Sequence, residues 1–297
     1  MCLKWKANRL DNRFENRTPP RGGFGGRILI AVVIVLMGFF TYWNQIEENP
    51  VTHERQHVAL TPSEEIRLGL ESAPQMARQM GGELPESDPR TQAVNRIGQL
   101  IVNRTAAKQS PWKFRFHLLA DNKTINAFAL PGGQVFITLG LYNKLKTEAQ
   151  LAGVLSHEMG HVIQRHSAQQ MAKSQLGKLL VVAVGTAASS DPQSGSPSLY
   201  DPTMIATLVN QMVQLRYSRH DESEADTWGL MLMTEVGFDP RAMIQVMEIL
   251  KAASGSGQSM ELFQTHPNPD LRIQQIKAYL EKHPPAAGLS QGKPLPH

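Results

Sequence analysis

The chain has 297 residues, a formal net charge of +4, 41% hydrophobic residues and one cysteine. This length allows one or two domains, and the composition is ordinary for a globular protein. The lone Cys2 excludes a disulfide within the chain and leaves the remainder without a cysteine for metal binding or nucleophilic catalysis.

The N-terminal residues 1–27 are basic, because seven Lys and Arg residues against two acidic residues give them a charge of +5. The remainder of the chain is therefore −1. Basic residues beside an apolar segment remain on the inner side of a membrane, so we predict a cytoplasmic tail over 1–27. A basic tail is also compatible with nucleic-acid binding. We predict contact with anionic lipid headgroups instead, and no nucleic-acid partner.

The next segment, Ile28–Trp43, contains no charged residue and is mostly apolar. As a helix it would be about 24 Å long, and extension to Ile46 brings it closer to the ~30 Å hydrocarbon core. A cleaved signal peptide would have a shorter apolar region followed by small residues, whereas Phe39–Gln45 is aromatic and polar. We therefore predict a single-pass signal anchor over 28–46 in the inner (cytoplasmic) membrane, with the domain that follows it in the periplasm.

Two helices are predicted after a polar linker over residues 47–60. Thr61-Pro62-Ser63-Glu64 is typical of a helix start, since it combines a capping box with proline in the first turn. A second helix is predicted after Asp88-Pro89, where apolar residues recur at helical spacing.

The periodicity then changes to that of strands. Trp112–Leu118 alternates, and two further strands are predicted at Ala127–Leu130 and Gln134–Thr138, joined across Pro131-Gly132-Gly133. An extended peptide can add to an exposed sheet edge as one more strand, through backbone hydrogen bonds. Ala127, Phe128 and Ala129 are our candidates for this substrate-binding role, and an ordinary hairpin is the alternative.

The central motif is His157-Glu158-Met159-Gly160-His161. The two histidines are one helical turn apart, so both can bind one Zn²⁺ ion, and Glu158 is placed to take a proton from water that the metal activates. The helix that carries this motif is predicted to begin at Thr147, with Gln150 as its capping-box partner. It is apolar over most of its circumference and is predicted to be buried. Metal binding would offset the cost of burying the polar residues.

A second motif supplies acidic residues. Glu222 and Asp226 are four residues apart and share a helix face. Glu222 is the candidate third metal ligand, and Asp226 is the candidate acceptor of a hydrogen bond from a ligand histidine. The alternative is a solvated acidic helix start, favoured by the helix dipole.

Further helices are predicted at 167–186, 204–217, 241–253 and 270–281, besides the one that contains Glu222. Residues 187–202 are rich in Ser, Gly, Pro and Asp, and predict either a lid over the cleft or a surface insertion. Residues 284–297 are proline-rich and predict a disordered tail.

Four segments in this order resemble a known family: Asn126–Gly133, His157–His161, Glu222–Asp226, and Thr265–Pro269 with Arg272. The family is that of HtpX-type and CAAX-prenyl-protease-type zinc metallopeptidases. The layout is closest to periplasmic β-barrel assembly-enhancing protease-like members. The resemblance implies an α+β, mainly helical, zincin-like domain over 61–283 with a small antiparallel sheet, preceded by one transmembrane helix.

The resemblance also implies residue roles. One zinc ion per chain would be bound by His157, His161 and Glu222, with Glu158 as general base. Asp226 would orient a ligand. His266 is similar to a histidine that can cap the zinc in a resting state, and Arg272 to an arginine that stabilises the tetrahedral intermediate.

The sequence therefore predicts a membrane-anchored zinc metalloendopeptidase. Its substrates would be misfolded or unassembled envelope polypeptides, which makes protein quality control the expected role. One alternative is a chaperone or assembly factor whose proteolysis is gated by His266. Another is a small-molecule hydrolase with the same metal. The oligomeric state stays open.

Overall fold

The computed structural model describes residues 24–188, 216–253 and 261–297. It is mainly helical with two small sheets, which confirms the predicted fold class. The helices are α1 (Phe24–Asn44), α2 (Pro62–Gln79), α3 (Pro89–Arg104), α4 (Leu139–Tyr142), α5 (Glu148–Ile163), α6 (His166–Ala188), α7 (Arg219–Glu235), α8 (Ala242–Ala253), α9 (Leu262–Thr265) and α10 (Pro269–Lys282). The strands are β1 (Ile46–Glu48), β2 (Arg55–His57), β3 (Arg115–Leu119), β4 (Ala127–Leu130) and β5 (Gln134–Thr138).

Two predicted segments fall largely on residues outside these ranges. The predicted lid or insertion at 187–202 is described only at its first two residues, which end α6. The predicted helix at 204–217 is described only at Arg216 and Tyr217, which precede α7.

The larger sheet has the strand order β3-β5-β4. β4 and β5 are antiparallel, as their tight connection requires, and the turn contains Gly132 and Gly133 at positive φ. β3 is parallel to β5, however, so the sheet is mixed and differs in this detail from the predicted antiparallel sheet. The reason is that β5 inserts between β3 and β4, which themselves run in opposite directions.

Helix α5 forms the centre of the domain, and all sixteen of its residues are buried. Thr147 caps it as predicted, accepting a hydrogen bond from the Gln150 backbone. The Gln150 side chain accepts from Lys146 N at 2.7 Å, one residue before the expected capping-box position. β4, α7 and α8 pack around this helix, so groups that it carries are enclosed on several sides.

The chain leaves α5 through Arg165, which has a positive φ of 59°. Its guanidinium is fully buried and binds Glu65 Oε1 at 2.8 Å, Glu47 Oε2 at 3.0 Å and the Leu60 carbonyl at 2.6 Å. These contacts join the end of α5 to the segment 47–60, which was predicted as a plain linker. Because β1 pairs with β2, that segment is instead largely an ordered hairpin.

Helix α1 begins at Phe24 and ends at Asn44, somewhat earlier than the predicted anchor at 28–46. Its residues Gly25–Asn44 are long and apolar enough to cross a membrane, with a mean hydropathy of 2.0. α1 packs along α6, and a Cβ atom added at Gly38 would lie 3.4 Å from the Leu179 side chain.

Residues 284–297 were predicted to be disordered, but the structure places part of them against the start of α5. The backbone N–H groups of Glu148 and Ala149 donate to the carbonyls of Lys293 and Gln291, each at 3.0 Å. Leu295 is only 5% exposed. The first-turn N–H groups of a helix lack acceptors within the helix, and the carbonyl groups of this segment serve as their acceptors.

Candidate active site

Side chains from α5 and α7 meet where the two helices cross. The Nε2 atoms of His157 and His161 are 3.2 Å apart. Glu222 of α7 places Oε1 3.5 Å from His161 Nε2 and Oε2 3.7 Å from His157 Nε2. The predicted metal ligands, distant in sequence, therefore converge in space.

His266, at the end of α9, adds a fourth donor to this cluster. Its Nδ1 lies 2.9 Å from Glu222 Oε1 and 3.3 Å from His157 Nε2. One donor atom from each of the four residues lies within 4.8 Å of all the others. Three nitrogen donors and one carboxylate form a set that zinc favours.

The polar atoms of this cluster are consistent with a metal site. His266 and Glu222 are each 1% exposed, and His266 Nε2 has no hydrogen-bond partner in the described part of the chain. Glu222 Oε2 likewise accepts no well-directed hydrogen bond there, although Arg272 Nη1 lies 2.8 Å away. Buried polar atoms without partners are unfavourable, so the described residues fit a bound metal ion.

Buried charges affect the protonation of this cluster. Burial alone would raise the pKa of Glu222, but His266 and Arg272 hold it below its usual value. Burial would lower the pKa of His266, but Glu222 and Glu158 raise it. The pKa of His161 is lowered by burial and by His157 and His166, which favours the neutral imidazole that metal binding requires.

Glu158 lies beside the cluster and is 2% exposed. Its Oε1 is 3.7 Å from His266 Nε2. Both residues border a pocket whose wall is largely apolar and is formed by α5, α8 and α9. The apolar side chains in that wall are Val154, Met243, Val246, Met247, Leu250 and Leu262. The predicted general base thus borders a pocket with a largely apolar wall.

Asp226 and Arg272 contact the candidate metal ligands on the side away from the cluster centre. Asp226 Oδ1 lies 3.0 Å from His157 Nδ1, the nitrogen that faces away from the cluster. Arg272 of α10 binds Asp226 through Nε at 2.8 Å and through Nη2. Burial would raise the pKa of Asp226, but the charge of Arg272 lowers it, so this carboxyl is ionised.

Two residues near His161 were not predicted from the sequence. His161 Nδ1 lies 2.8 Å from His166 Nδ1, and His166 Nε2 lies 3.2 Å from Glu224 Oε2. Tyr217 stacks on the His161 ring with centroids 4.0 Å apart. A continuous helix would direct a residue five positions after His161 away from it, and the positive φ of Arg165 turns the chain back.

The predicted substrate strand is also near this site. β4 lies at one edge of the larger sheet and beside α5. Ala127, Phe128 and Ala129 are all buried. Asn126, just before β4, donates through Nδ2 to Glu261 Oε2 at 3.2 Å, which joins the strand to the segment that carries His266. Substrate binding by β4 stays a prediction.

Known proteins resemble this chain over the same region. Residues 88–280 match the profile of Peptidase family M48. Mitochondrial metalloendopeptidase OMA1 of Schizosaccharomyces pombe is 32% identical over 249 residues, which cover 83% of this chain and 70% of that protein. Beta-barrel assembly-enhancing protease of Escherichia coli is 35% identical over 203 residues, which cover 66% of this chain but only 40% of that protein.

Proposed function

The chain belongs to peptidase family M48 and is a metallopeptidase; from this premise we propose that it is a membrane-anchored zinc endopeptidase of the cell envelope. We propose that it cleaves misfolded or unassembled envelope proteins. The name of the bacterial relative, an assembly-enhancing protease, supports this substrate class. The apolar helix α1 supports the membrane location.

The observation that carries the proposal is the convergence of His157 and His161 from α5 with Glu222 from α7. We assign these three side chains as the zinc ligands. The chemistry that a bound zinc ion supplies is Lewis acidity, which polarises the scissile carbonyl and lowers the pKa of water. Asp226 holds the ring of His157 in place through its Nδ1, the usual role of a carboxylate behind a ligand histidine.

Glu158 is the proposed general base. It follows His157 directly on α5 and borders the apolar pocket. From that position its carboxylate takes a proton from the attacking water and delivers it to the leaving amine. The largely apolar wall that α8 contributes to this pocket supports exposed hydrophobic segments of unfolded proteins as substrates.

We propose that His266 regulates the catalytic activity of this site. A catalytic zinc site keeps one position open beside three protein ligands. His266 lies within the ligand cluster and competes for that position, so its withdrawal would accompany activation. The same observation favours the alternative function, a chaperone or assembly factor with gated proteolysis.

The test of the proposal compares purified wild type with Glu158→Gln. We expect both proteins to contain one zinc ion by metal analysis. Cleavage of an unfolded protein substrate, mapped by mass spectrometry, should fall by at least ~10²-fold in the variant. The matched control is Glu248→Gln, at an exposed position on α8, which should retain activity.

Three outcomes would change the proposed function or its residue assignments. Full cleavage by Glu158→Gln would contradict the role of Glu158 as base, and wild-type protein without stoichiometric zinc would contradict the metal assignment. If Glu158→Gln restores envelope assembly in cells that lack the wild-type protein, the chaperone function is the main one.

A further inference from the structure

The second half of α6 carries an exposed apolar surface. The sequence Leu179-Leu180-Val181-Val182-Ala183-Val184 contains no polar side chain. Leu179 is 37% exposed, Val181 72% and Val184 70%. Large apolar patches on water-soluble surfaces are uncommon and mark sites of interaction.

This half of α6 lies antiparallel to α1. Gln175 Oε1 accepts a hydrogen bond from Gln45 Nε2 at 3.2 Å, beyond the end of α1. Closer to the start of α1 and to the end of α6, Gly38 faces Leu179. The small side chains of Ala31 and Ala183 are both buried, at 8% and 2% exposed. From Gln175 to its end at Ala188, α6 extends roughly 20 Å in this direction.

The outward faces of the two helices form one apolar surface. On α1, Leu36 is 62% exposed and Phe40 is 69% exposed, and Val181 and Val184 continue this surface on α6. Packed helices are about 8–10 Å apart, so the medium that surrounds one helix also surrounds the other at the same depth. If α1 crosses a bilayer, the adjoining half of α6 cannot remain in water.

We propose that the second half of α6 is embedded in the same bilayer as α1, with lipid acyl chains as the occupant of its exposed apolar face. The inference rests on the proposed membrane anchor. The distribution of charge supports it: Lys173 and Lys178 are exposed and precede the apolar stretch, on the side of the catalytic domain. Lysines in this position extend toward lipid headgroups.

The embedded helix fixes the distance of the active site from the membrane. α6 begins at His166, which contacts the metal-ligand candidate His161. From His166 to Gln175, near the end of α1, the helix rises by roughly 14 Å. The cleft is therefore held about that far from the membrane surface, which favours polypeptide segments close to the membrane as substrates.

The experiment uses full-length protein in liposomes of phosphatidylcholine and phosphatidylglycerol. In a Cys2→Ser background, single cysteines are introduced as Val184→Cys, Leu36→Cys and Ser174→Cys and are given a nitroxide label. Collision with oxygen reports exposure to lipid, and collision with a nickel chelate reports exposure to water. We expect oxygen to dominate at positions 184 and 36, and nickel to dominate at position 174, which is exposed on the first half of α6.

Each outcome separates this inference from the proposed anchor. If position 36 contacts lipid and position 184 contacts water, the embedding of α6 is overturned and the anchor stands. If both contact water, the anchor fails, and with it the premise for α6. If position 184 is shielded from both reagents, protein covers this face, which overturns lipid as the occupant.

Discussion

Arg272 joins two acidic side chains of the active site, because its guanidinium contacts both Asp226 and Glu222. Burial lowers its pKa, but the two carboxylates raise it above the usual value, so its charge is permanent. The resemblance to the family implied that this arginine stabilises the tetrahedral intermediate. Its contacts support a second task, which is to neutralise Glu222, the proposed metal ligand, and Asp226, which is proposed to orient His157.

These two tasks are distinguished by Arg272→Met. Removing the guanidinium leaves Asp226 and Glu222 buried without their partner, so we expect about 3–5 kcal/mol of lost stability. Zinc affinity should fall by about 10–100-fold. Thermal unfolding and competition with a zinc chelator measure both effects. The control is Arg272→Lys, which keeps the charge and should lose less. Unchanged affinity and stability with slow turnover would instead favour a role in the transition state alone.

The position of His166 relative to His161 is comparable to that of Asp226 relative to His157. It contacts His161 Nδ1 on one side and Glu224 on the other. We expect His166→Ala to lower zinc affinity by about 10–100-fold, because the tautomer and orientation of His161 are then less restricted. Chelator competition measures the affinity. His220→Asn is the matched control, since His220 also contacts Glu224 but is 79% exposed; a similar loss in both variants would contradict the role of His166.

The sequence predicted only part of this site. His157, His161, Glu222 and Asp226 follow from helical spacing, which depends on local geometry. His266 and Arg272 were identified only through the family, because no local pattern links α9 and α10 to α5. His166 and Tyr217 were missed, since their positions depend on a turn at positive φ and on tertiary packing.

At the scale of elements, the distance between α5 and α7 depends on Gly160. A Cβ atom at this position would lie 2.8 Å from the Ala225 carbonyl oxygen and 3.0 Å from its Cα. Both atoms belong to the backbone of α7, so a side chain here would push the helix away. The separation of Glu222 from the two histidines is thus set partly by a residue with no side chain.

Gly160→Ala tests this dependence. We expect the larger side chain to displace α7, which costs about 1–3 kcal/mol of stability and lowers zinc affinity by at least ~10-fold. Zinc titration of the metal-free protein and thermal unfolding provide the measurements. Gly153→Ala, on the same helix, meets its nearest atom at 3.6 Å and should bind zinc normally. Equal zinc affinity in both variants would show that α7 adapts without cost.

The elements that the sequence predicted share a strong local signal. The capping box of Thr61 and Glu64 correctly marked the start of α2, and the turn at Gly132 and Gly133 marked the β4–β5 hairpin. Contacts between segments that are distant in the chain leave no comparable signal in the sequence. The parallel pairing of β3 with β5, and the contact of the proline-rich segment 284–297 with α5, depend on partners distant in sequence.

At the scale of the whole molecule, the candidate active site is joined to the region of the apolar helix α1 at two points. α6 leads from the candidate metal site to the apolar surface beside α1. Arg165 joins the end of α5 to Glu47, which follows α1 closely in the chain. The catalytic domain therefore has a defined orientation relative to α1, and the side of the membrane on which α1 begins determines where proteolysis takes place.

The charge of the N-terminal tail predicts that side. Residues 1–27 carry +5, so they should remain in the cytoplasm, with the catalytic domain in the periplasm. Cys2, the only natural cysteine, serves as the probe for the tail, and Cys2→Ser with Lys108→Cys places one on an exposed surface of the catalytic domain. In intact cells with a permeable outer membrane, a maleimide that cannot cross the inner membrane should label only the cysteine at position 108. Cys2 should react after detergent is added, which controls for its reactivity. Labelling of Cys2 in intact cells would reverse the topology and place the metal site in the cytoplasm.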